Sequence, residues 1–267
     1  MEYFCVSDIH GYYDQLIEAL NAAGFESNNP NHILIACGDH FDRGRQPKEV
    51  LNYLIRLPRK VLIWGNHDKL LLESCKRGWF YDYDRSNGTL GTVADLTGDF
   101  AEQYKAEYGD YPSTKQRCEE VLRIVEPFYQ QHVNYYETSK YIFVHAWVPV
   151  IVDDQAPVYH VRDRRFAKHP DWRNATPREW DQARWVNPYN MAKLRLQAEK
   201  VIVCGHWHCS AGWASAEGRS EFGEDACFDP YEGDGFLAID ACTAHTKKVN
   251  VVVLEDKPII NIQEVTK

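Results

Sequence analysis

The sequence lacks any run of about 18 consecutive apolar residues, the length that a membrane-spanning helix needs. Its first residues reach Glu2 and Asp8 without a basic stretch followed by a long apolar one, so we expect no signal peptide. Neither an internal repeat nor a Gly/Ser-rich linker divides the chain. We therefore predict one domain over residues 1–267 that does not contact a membrane.

Basic residues are in deficit, since 30 Lys and Arg face 39 Asp and Glu and the formal net charge is −9. Proteins that bind nucleic acids or anionic membrane surfaces without selectivity need a basic surface, so we exclude those classes of partner. A small phosphorylated ligand stays compatible with the acidic total, because bound cations neutralise acidic side chains locally.

The eight cysteines form no Cys-x-x-Cys pair and no spacing typical of a disulfide scaffold. Cys5, Cys37 and Cys204 lie inside apolar runs, where free cysteines usually serve as small buried side chains. Reduced thiols of this kind predict a cytoplasmic protein.

Short apolar runs alternate with segments of helical periodicity over the first 75 residues. The predicted strands here are Tyr3–Val6, Ile33–Cys37 and Val61–Trp64, and the predicted helices are Tyr13–Ala23, Pro47–Leu57 and Lys69–Lys76. Further strands are predicted at Tyr141–Val144, Val201–Cys204, Phe236–Ile239 and Val249–Leu254, with a weaker one at Ile259–Ile262. This alternation is typical of βαβ units and predicts an α/β fold with a largely parallel sheet.

Two segments depart from the alternation. Residues 79–131 contain the amphipathic stretches Val93–Tyr108 and Lys115–Phe128, which predict a helical insertion. Residues 146–200 are rich in Trp and Arg and show weak periodicity, apart from a helix predicted near Tyr189–Lys200. The four tryptophans of this segment either line a substrate site or form the core of an inserted subdomain; they are Trp147, Trp172, Trp180 and Trp185.

Metal-type ligands follow five of the predicted strands. These candidates are Asp8, His10, Asp39, Asn66, His145, His206 and His208. Because ligand sites of open α/β sheets lie at the carboxyl ends of strands, these loops converge on one crevice. Each motif alone is compatible with an exposed turn or a core histidine, but the repetition at five strand ends favours a site.

The candidate ligands are oxygens and nitrogens without a thiolate, which suits Mn²⁺, Fe or Zn²⁺ better than a structural cysteine zinc site. Seven candidates are too many for one ion and fit two ions that share a carboxylate. Two such ions activate a nucleophile and stabilise both the attacking and the leaving oxygen of a phosphoryl displacement.

Three sequence blocks resemble the signatures of the phosphoprotein phosphatase family of calcineurin-like metallophosphoesterases, in particular its bacterial and phage branch. The blocks are Asp8-Ile9-His10-Gly11, the heptapeptide from Gly38 to Gly44 that ends in Asp42-Arg43-Gly44, and Gly65-Asn66-His67-Asp68. The resemblance covers roughly residues 1–75, 140–150 and 200–254. It implies a calcineurin-like fold in which helices flank two central β-sheets, with the insertion of helices and loops described above.

The resemblance also implies roles for individual residues. Asp8, His10 and Asp39 would hold one metal ion, and Asp39 would bridge to a second ion held by Asn66, His145 and His206. His67 would act as general acid and Asp42 would support its imidazolium. Arg43 would clamp the phosphate, together with Asn66.

Two departures from the family pattern lie in its later blocks, and the first is His145-Ala146-Trp147, where the family usually has His-Gly-Gly or His-Ala-Gly. The block Gly205-His206-Trp207-His208 resembles that of wider metallophosphoesterases, in which the second histidine joins the first metal, so His208 is either a further ligand or a residue close to the ligands. For the second phosphate-binding arginine of the family we choose Arg184, and its competitors are Arg162, Arg164, Arg165 and Arg173.

The resemblance implies a phosphatase that uses two divalent ions, with Mn²⁺ preferred over Fe or Zn²⁺. We expect it to hydrolyse phosphoserine or phosphothreonine in proteins, or another small phosphoester, by direct attack of a hydroxide that bridges the metals. The alternative is hydrolysis of dinucleoside polyphosphates, nucleotides or RNA ends on the same fold. A catalytically silent metal-binding regulatory protein is a third reading, but it has no need of an acid such as His67.

Overall fold

In the computed structural model, which describes residues 1–98, 111–152 and 166–257, two five-stranded sheets form the centre. The first sheet has the order β12-β1-β2-β3-β4; its strands are β1 (Glu2–Val6), β2 (His32–Ala36), β3 (Lys60–Ile63), β4 (His132–Val133) and β12 (Val252–Glu255). Strands β1 to β4 pair in parallel and β12 pairs antiparallel with β1. The predicted parallel sheet is therefore present.

The second sheet has the order β10-β11-β9-β6-β5. Its strands are β5 (Tyr136–Glu137), β6 (Tyr141–Phe143), β9 (Val201–Cys204), β10 (Tyr231–Gly233) and β11 (Phe236–Ala238). The three central strands β11, β9 and β6 are parallel, and the two edge strands pair antiparallel with them. Strands β7 (Val150–Val152) and β8 (Phe166–Lys168) form a separate antiparallel pair.

Strand residues alternate between two hydrophobic cores, because successive side chains of a strand point to opposite faces. In β1, Tyr3 and Cys5 pack between the two sheets, whereas Phe4 and Val6 pack against helices. The layer between the sheets is completed from the second sheet by residues such as Phe143 and Val203. The order of layers is thus helices, sheet, sheet and helices, as the family resemblance implies.

The first sheet is covered by α1 (Tyr13–Ala22), α2 (Pro47–Arg56), α3 (Asn66–Arg77), α5 (Thr89–Thr97) and α6 (Tyr111–Tyr129), and the short α4 (Asp82–Ser86) packs on α3 and α5. The second sheet is covered by α7 (Pro177–Ala183), α8 (Pro188–Lys193) and α9 (Ser210–Glu217), and a short helix α10 (Thr243–Thr246) follows β11. Within the described ranges no helix is long and apolar enough to cross a membrane.

Several predicted boundaries shift for identifiable reasons. Helix α3 begins at Asn66 rather than Lys69, because the Asp68 carboxylate accepts the N–H of Gly65 and caps the helix earlier. The helix predicted at Tyr189–Lys200 ends at Lys193, since Arg195 takes a left-handed backbone with φ 57°. The strand predicted at Ile259–Ile262 and most of Val93–Tyr108 beyond α5 lie outside the described residues.

Candidate metal centre

The strand ends that carry the candidate ligands turn sharply. Residues with a left-handed backbone follow β1, β2 and β9; they are Asp8, His10, Asp39, Asp42, Arg43 and His206, with φ between 50° and 67°. Residues other than glycine rarely adopt this conformation, and such strain clusters at functional sites. The strain therefore marks the same edge of the sheets that the sequence motifs indicate.

The first group of ligand-type atoms surrounds His10. Its Nε2 lies 3.8 Å from Asp8 Oδ1 and 3.7 Å from Asp39 Oδ2. The other ring nitrogen, Nδ1, donates to the carbonyl oxygen of Phe41 over 2.9 Å, so Nε2 is left with its lone pair towards the two carboxylates. Burial, and then the charge of Arg43, lowers the pKa of His10 well below its usual value, which favours the neutral form that metal binding requires.

The second group surrounds His145. Its Nε2 lies 2.7 Å from Asn66 Oδ1 and 3.5 Å from Asp39 Oδ1, and its Nδ1 donates to the carbonyl oxygen of Cys37 over 2.8 Å. One atom each of Asp39, His145 and His206 lies within 4.8 Å of the others. Burial, and then the neighbouring His145, lowers the pKa of His206 to about 3. Asp39 thus presents a different carboxylate oxygen to each group.

The charge balance of this edge fits cations. Asp8 and Asp39 are both buried, and in the described part of the chain only histidines lie within ion-pair distance of them. Buried carboxylates without a cationic partner are costly, and burial accordingly raises the pKa of Asp8. Two divalent ions on this set of oxygen and nitrogen donors would compensate the charge, so the residues fit the predicted metals.

His67, Asp42 and Arg43 form a chain of side chains beside the two groups. His67 Nδ1 donates to Asp42 Oδ2 over 2.9 Å, and Arg43 Nη2 lies 3.1 Å from His67 Nε2. Burial opposes protonation of His67, but the charge of Asp39 and the hydrogen bond and charge of Asp42 outweigh it and raise the pKa of His67. The exposed Arg43 guanidinium in front of Nε2 disfavours a metal ion at that nitrogen and favours an anion beside the two side chains.

Asp68, which the sequence interpretation did not assign, ties two of the ligand loops together. Its Oδ2 accepts the N–H groups of Asp39 and Gly65, and its Oδ1 accepts the N–H of His40. The Gly65 Cα has no room for a side chain, because an added Cβ would lie 2.1 Å from Asp39 Oδ1. An acidic residue in the third position of a helix is a sequence signal from which the capping part of this role could have been predicted.

Thr89 and Thr92 are two further residues at the site that no sequence motif indicates. Their hydroxyls donate to the Asp42 carboxylate over 3.1 and 3.0 Å, although they lie in the segment 79–131 that lacks family motifs. Threonine in a helix gives no signal of such a contact, because its partner is 47 or more residues away in sequence. Only the packing of α5 on the loop after β2 reveals it.

The structure does not bring His208 to the other ligands. Its Nε2 pairs with Glu221 at 3.2 Å, its Nδ1 lies 2.8 Å from Ser210 Oγ, and neither described ligand group includes it. Glu221 lies in an exposed loop between α9 and β10. Of the two alternatives for His208, a place near the site rather than on a metal is the one that fits these contacts.

Arg184 is also directed elsewhere. It is buried, its Nε donates to the carbonyl oxygen of Trp64 over 3.2 Å, and its two other nitrogens donate to Asn134 and Asp181. Three of the five N–H donors of this buried guanidinium are thus taken by protein acceptors, which favours a structural role over that of a phosphate clamp. Arg173 pairs with Glu137, and Arg162, Arg164 and Arg165 lie outside the described residues.

The tryptophans of residues 146–200 divide between the two interpretations. Trp147, Trp172 and Trp180 are buried in the core of the second sheet. Trp185 is 37% exposed, and its ring centroid lies 6.1 Å from that of His206. Trp207, also 37% exposed, lies 6.3 Å from His206 on the same measure. Two exposed indoles therefore contact one predicted metal ligand, one of them from the Trp-rich segment.

Comparison with known proteins agrees with this geometry. Residues 1–210 match the family model described as calcineurin-like phosphoesterase. The chain is 28% identical over 132 residues to serine/threonine-protein phosphatase 2 of Escherichia coli K12, with 41% of this chain and 59% of the relative covered. It is 25% identical over 223 residues to the asymmetrical bis(5'-nucleosyl)-tetraphosphatase PrpE of Halalkalibacterium halodurans, with 77% and 78% covered.

A solved structure is similar over most of the chain. The cold-active protein-tyrosine phosphatase of a psychrophilic Shewanella has a TM-score of 0.49 and 14% identity, and the match covers 95% of this chain and 75% of that one. The chain spans less than two thirds of the length of the Escherichia coli phosphatase that it matches.

Proposed function

The chain belongs to the calcineurin-like phosphoesterase family, and on that premise we propose that it hydrolyses phosphoesters with two divalent metal ions. The observation that carries the proposal is the position of Asp39, which offers Oδ2 to His10 and Oδ1 to His145. One carboxylate between two histidine groups is the arrangement that a pair of ions sharing a ligand needs.

The residues of the chain divide the remaining work. The ions would supply a water nucleophile at neutral pH and neutralise charge on the phosphoryl oxygens. Arg43 would bind two phosphoryl oxygens with its planar fork and hold the group in front of His67. His67 would give the proton on Nε2 to the leaving oxygen as the bond to phosphorus breaks, and Asp42 would stabilise the imidazolium before that transfer.

We propose Mn²⁺ as the native ion, because the two groups contain oxygen and imidazole donors and no thiolate. A cytoplasmic location is supported by the free thiols of all eight cysteines, six of which are buried. The net charge of −9 supports the exclusion of anionic membranes and bulk nucleic acids as partners.

Phosphoserine and phosphothreonine proteins are the first substrate class that we propose. A relative named serine/threonine-protein phosphatase 2 supports it, and so does the exposed Arg43, which an extended phosphopeptide can reach. The test is turnover of a phosphoserine peptide by protein that has been stripped with a chelator and resupplied with Mn²⁺. Hydrolysis that requires the ion and disappears in Asp8→Asn supports the proposal, and metal-independent hydrolysis contradicts it.

Nucleotides are a second candidate class, because Trp185 and Trp207 place exposed indoles next to His206. A base stacked on an indole contributes a factor of about 10 in affinity. We expect adenosine 5'-phosphate to have a lower KM than ribose 5-phosphate, which carries the same phosphate without a base.

The matched experiment replaces one of the two indoles, that of Trp207. Trp207→Leu should raise the KM of adenosine 5'-phosphate towards that of ribose 5-phosphate and leave the KM of ribose 5-phosphate unchanged. Tyr81→Leu is the control, since Tyr81 is an aromatic residue of comparable exposure, 43% against 37% for Trp207, and lies just before helix α4, distant from Trp207 in the sequence. Equal KM values of the native protein for adenosine 5'-phosphate and ribose 5-phosphate would exclude nucleotides as the preferred substrate class.

A further inference from the structure

The Asp42 carboxylate is fully enclosed by donors from two elements. Its Oδ2 accepts from His67 Nδ1 over 2.9 Å and from Thr89 Oγ1 over 3.1 Å, and its Oδ1 accepts from Thr92 Oγ1 over 3.0 Å. Asp42, Thr89 and Thr92 are all without exposed surface. In the described structure, therefore, protein hydroxyls rather than solvent complete the partners of this carboxylate.

The Thr92 hydroxyl forms hydrogen bonds with both the backbone and the side chain of Asp42. Its Oγ1 accepts the backbone N–H of Asp42 over 2.9 Å, and the same hydroxyl donates to Asp42 Oδ1. An ionised carboxylate can only accept, so the single proton of this hydroxyl is the one that reaches Oδ1. The backbone and the carboxylate of Asp42 are thus both bound to one side chain of helix α5.

The start of helix α5 also packs on the next residue of the loop. A Cβ added to Gly88 would lie 2.5 Å from the backbone nitrogen of Arg43, so only glycine permits this approach. Asp42 and Arg43 have φ values of 67° and 65°, a left-handed pair that needs outside support. Segment 88–92 supplies this support through two hydroxyls and one close backbone contact.

We propose that Thr89 and Thr92 are positioning residues of the reaction, which makes helix α5 of the insertion part of the catalytic apparatus. The proposal rests on the proposed function, in which His67 is the general acid. The two hydroxyls hold the Asp42 carboxylate in the plane where Oδ2 meets His67 Nδ1. This fixes the direction in which His67 presents its Nε2 proton.

The proton transfer shows where the effect must appear. As the bond between phosphorus and the leaving oxygen breaks, its electron pair stays on that oxygen, which takes the Nε2 proton and leaves neutral His67. An alkyl leaving group such as serine needs this proton, whereas p-nitrophenolate is stable without it. Misplacing Asp42 should therefore slow phosphoserine hydrolysis and spare p-nitrophenyl phosphate.

The test compares Thr92→Val and Thr89→Val with the native protein on a phosphoserine peptide and on p-nitrophenyl phosphate. Valine keeps the shape of threonine and removes the donor. We expect kcat on the peptide to fall about 10-fold in each variant, with KM and the p-nitrophenyl phosphate rate within about 2-fold. Thr92→Ser and Thr89→Ser, which keep the hydroxyl, should restore the peptide rate.

Thr97→Val is the control on the same helix, because among residues 1–98, 111–152 and 166–257 the Thr97 hydroxyl donates only to the carbonyl oxygens of Val93 and Ala94. It should leave the ratio of the two substrate rates unchanged. If Thr92→Val does not fold, the Thr89 pair of variants answers the question alone.

The outcomes separate the two proposals. A native protein that hydrolyses both esters, with Val variants that keep the native rate ratio or lose both rates equally, overturns the positioning role and leaves the proposed function standing. A native protein that hydrolyses neither ester with Mn²⁺ overturns the proposed function, and the positioning role with it.

Discussion

His67 and Asp42 are joined by a hydrogen bond of 2.9 Å from Nδ1 to Oδ2, which leaves His67 Nε2 facing the Arg43 guanidinium at 3.1 Å. The pair is buried, so the imidazole cannot turn to solvent to exchange its partners. The arrangement fixes one nitrogen on the supporting carboxylate and presents the other to whatever Arg43 binds. This is the geometry of a supported acid rather than of a surface histidine.

Replacing that acid should separate proton transfer from metal binding. We expect His67→Asn to lower kcat on a phosphoserine peptide by about 10²-fold to 10⁴-fold, while the metal content stays that of the native protein. The rate on p-nitrophenyl phosphate should fall much less. Full turnover of both substrates by His67→Asn would show that another group supplies the proton.

The alkaline limb of the pH profile should depend on Asp42. A general acid works only when protonated, so peptide turnover is lost as pH rises through the pKa of His67, which Asp39 and Asp42 raise above its usual value. Asp42→Asn removes one of these charges, and the descending limb of kcat should move to lower pH. A limb that stays in place or moves to higher pH contradicts the assignment.

Arg43 should bind the phosphoryl group through two parallel N–H donors of its guanidinium. Arg43→Lys keeps the charge but loses the two parallel donors, and we expect KM for p-nitrophenyl phosphate to rise about 10-fold. The neighbouring Arg45, also exposed, provides the control variant Arg45→Lys. Equal effects of the two substitutions would mean that only the general positive charge matters.

Arg184 should behave as a structural residue. The buried Arg184 side chain donates hydrogen bonds to Trp64, Asn134 and Asp181. Arg184→Met should therefore reduce the free energy of unfolding by about 2 kcal/mol, as measured by urea denaturation of the metal-loaded protein. The KM of protein that stays folded should change little. A large rise in KM with native stability would restore its role as a phosphate clamp.

The sequence predicts the sheet and most ligands because both depend on short-range patterns. Alternation in β1 and β2 places Tyr3 and Ile33 between the sheets, and the polar residues directly after these strands fall at one edge by geometry alone. The same reasoning fails for Arg184, since nothing local says which partner a buried guanidinium finds. It also fails for Thr89 and Thr92, whose acceptor is distant in the chain.

The division of the tryptophans has a similar cause. Composition marks residues 146–200 as aromatic, but burial depends on which side of α7 and α8 faces the second sheet. Trp180 lies in α7 and is buried, whereas Trp185 lies beyond its end and is exposed. Periodicity over so short a helix is too weak to separate the two.

The shared carboxylate of Asp39 is the centre of the account, and its substitution should affect both ions. Asp39→Asn should hold fewer than one equivalent of Mn²⁺ after gel filtration, because each group loses an anionic ligand. Glu18→Gln, an exposed acid on α1, is the control for charge alone. Loss of only one ion from Asp39→Asn would place the bridge on another residue.

The most direct measurement is a titration of chelator-stripped protein with Mn²⁺ in which phosphoester turnover and bound metal are followed together. We expect turnover to rise chiefly with the second equivalent and to level off at two ions per chain, with a spin-coupled manganese pair in the electron paramagnetic resonance spectrum. Full turnover at one equivalent, or without added metal, would contradict this expectation.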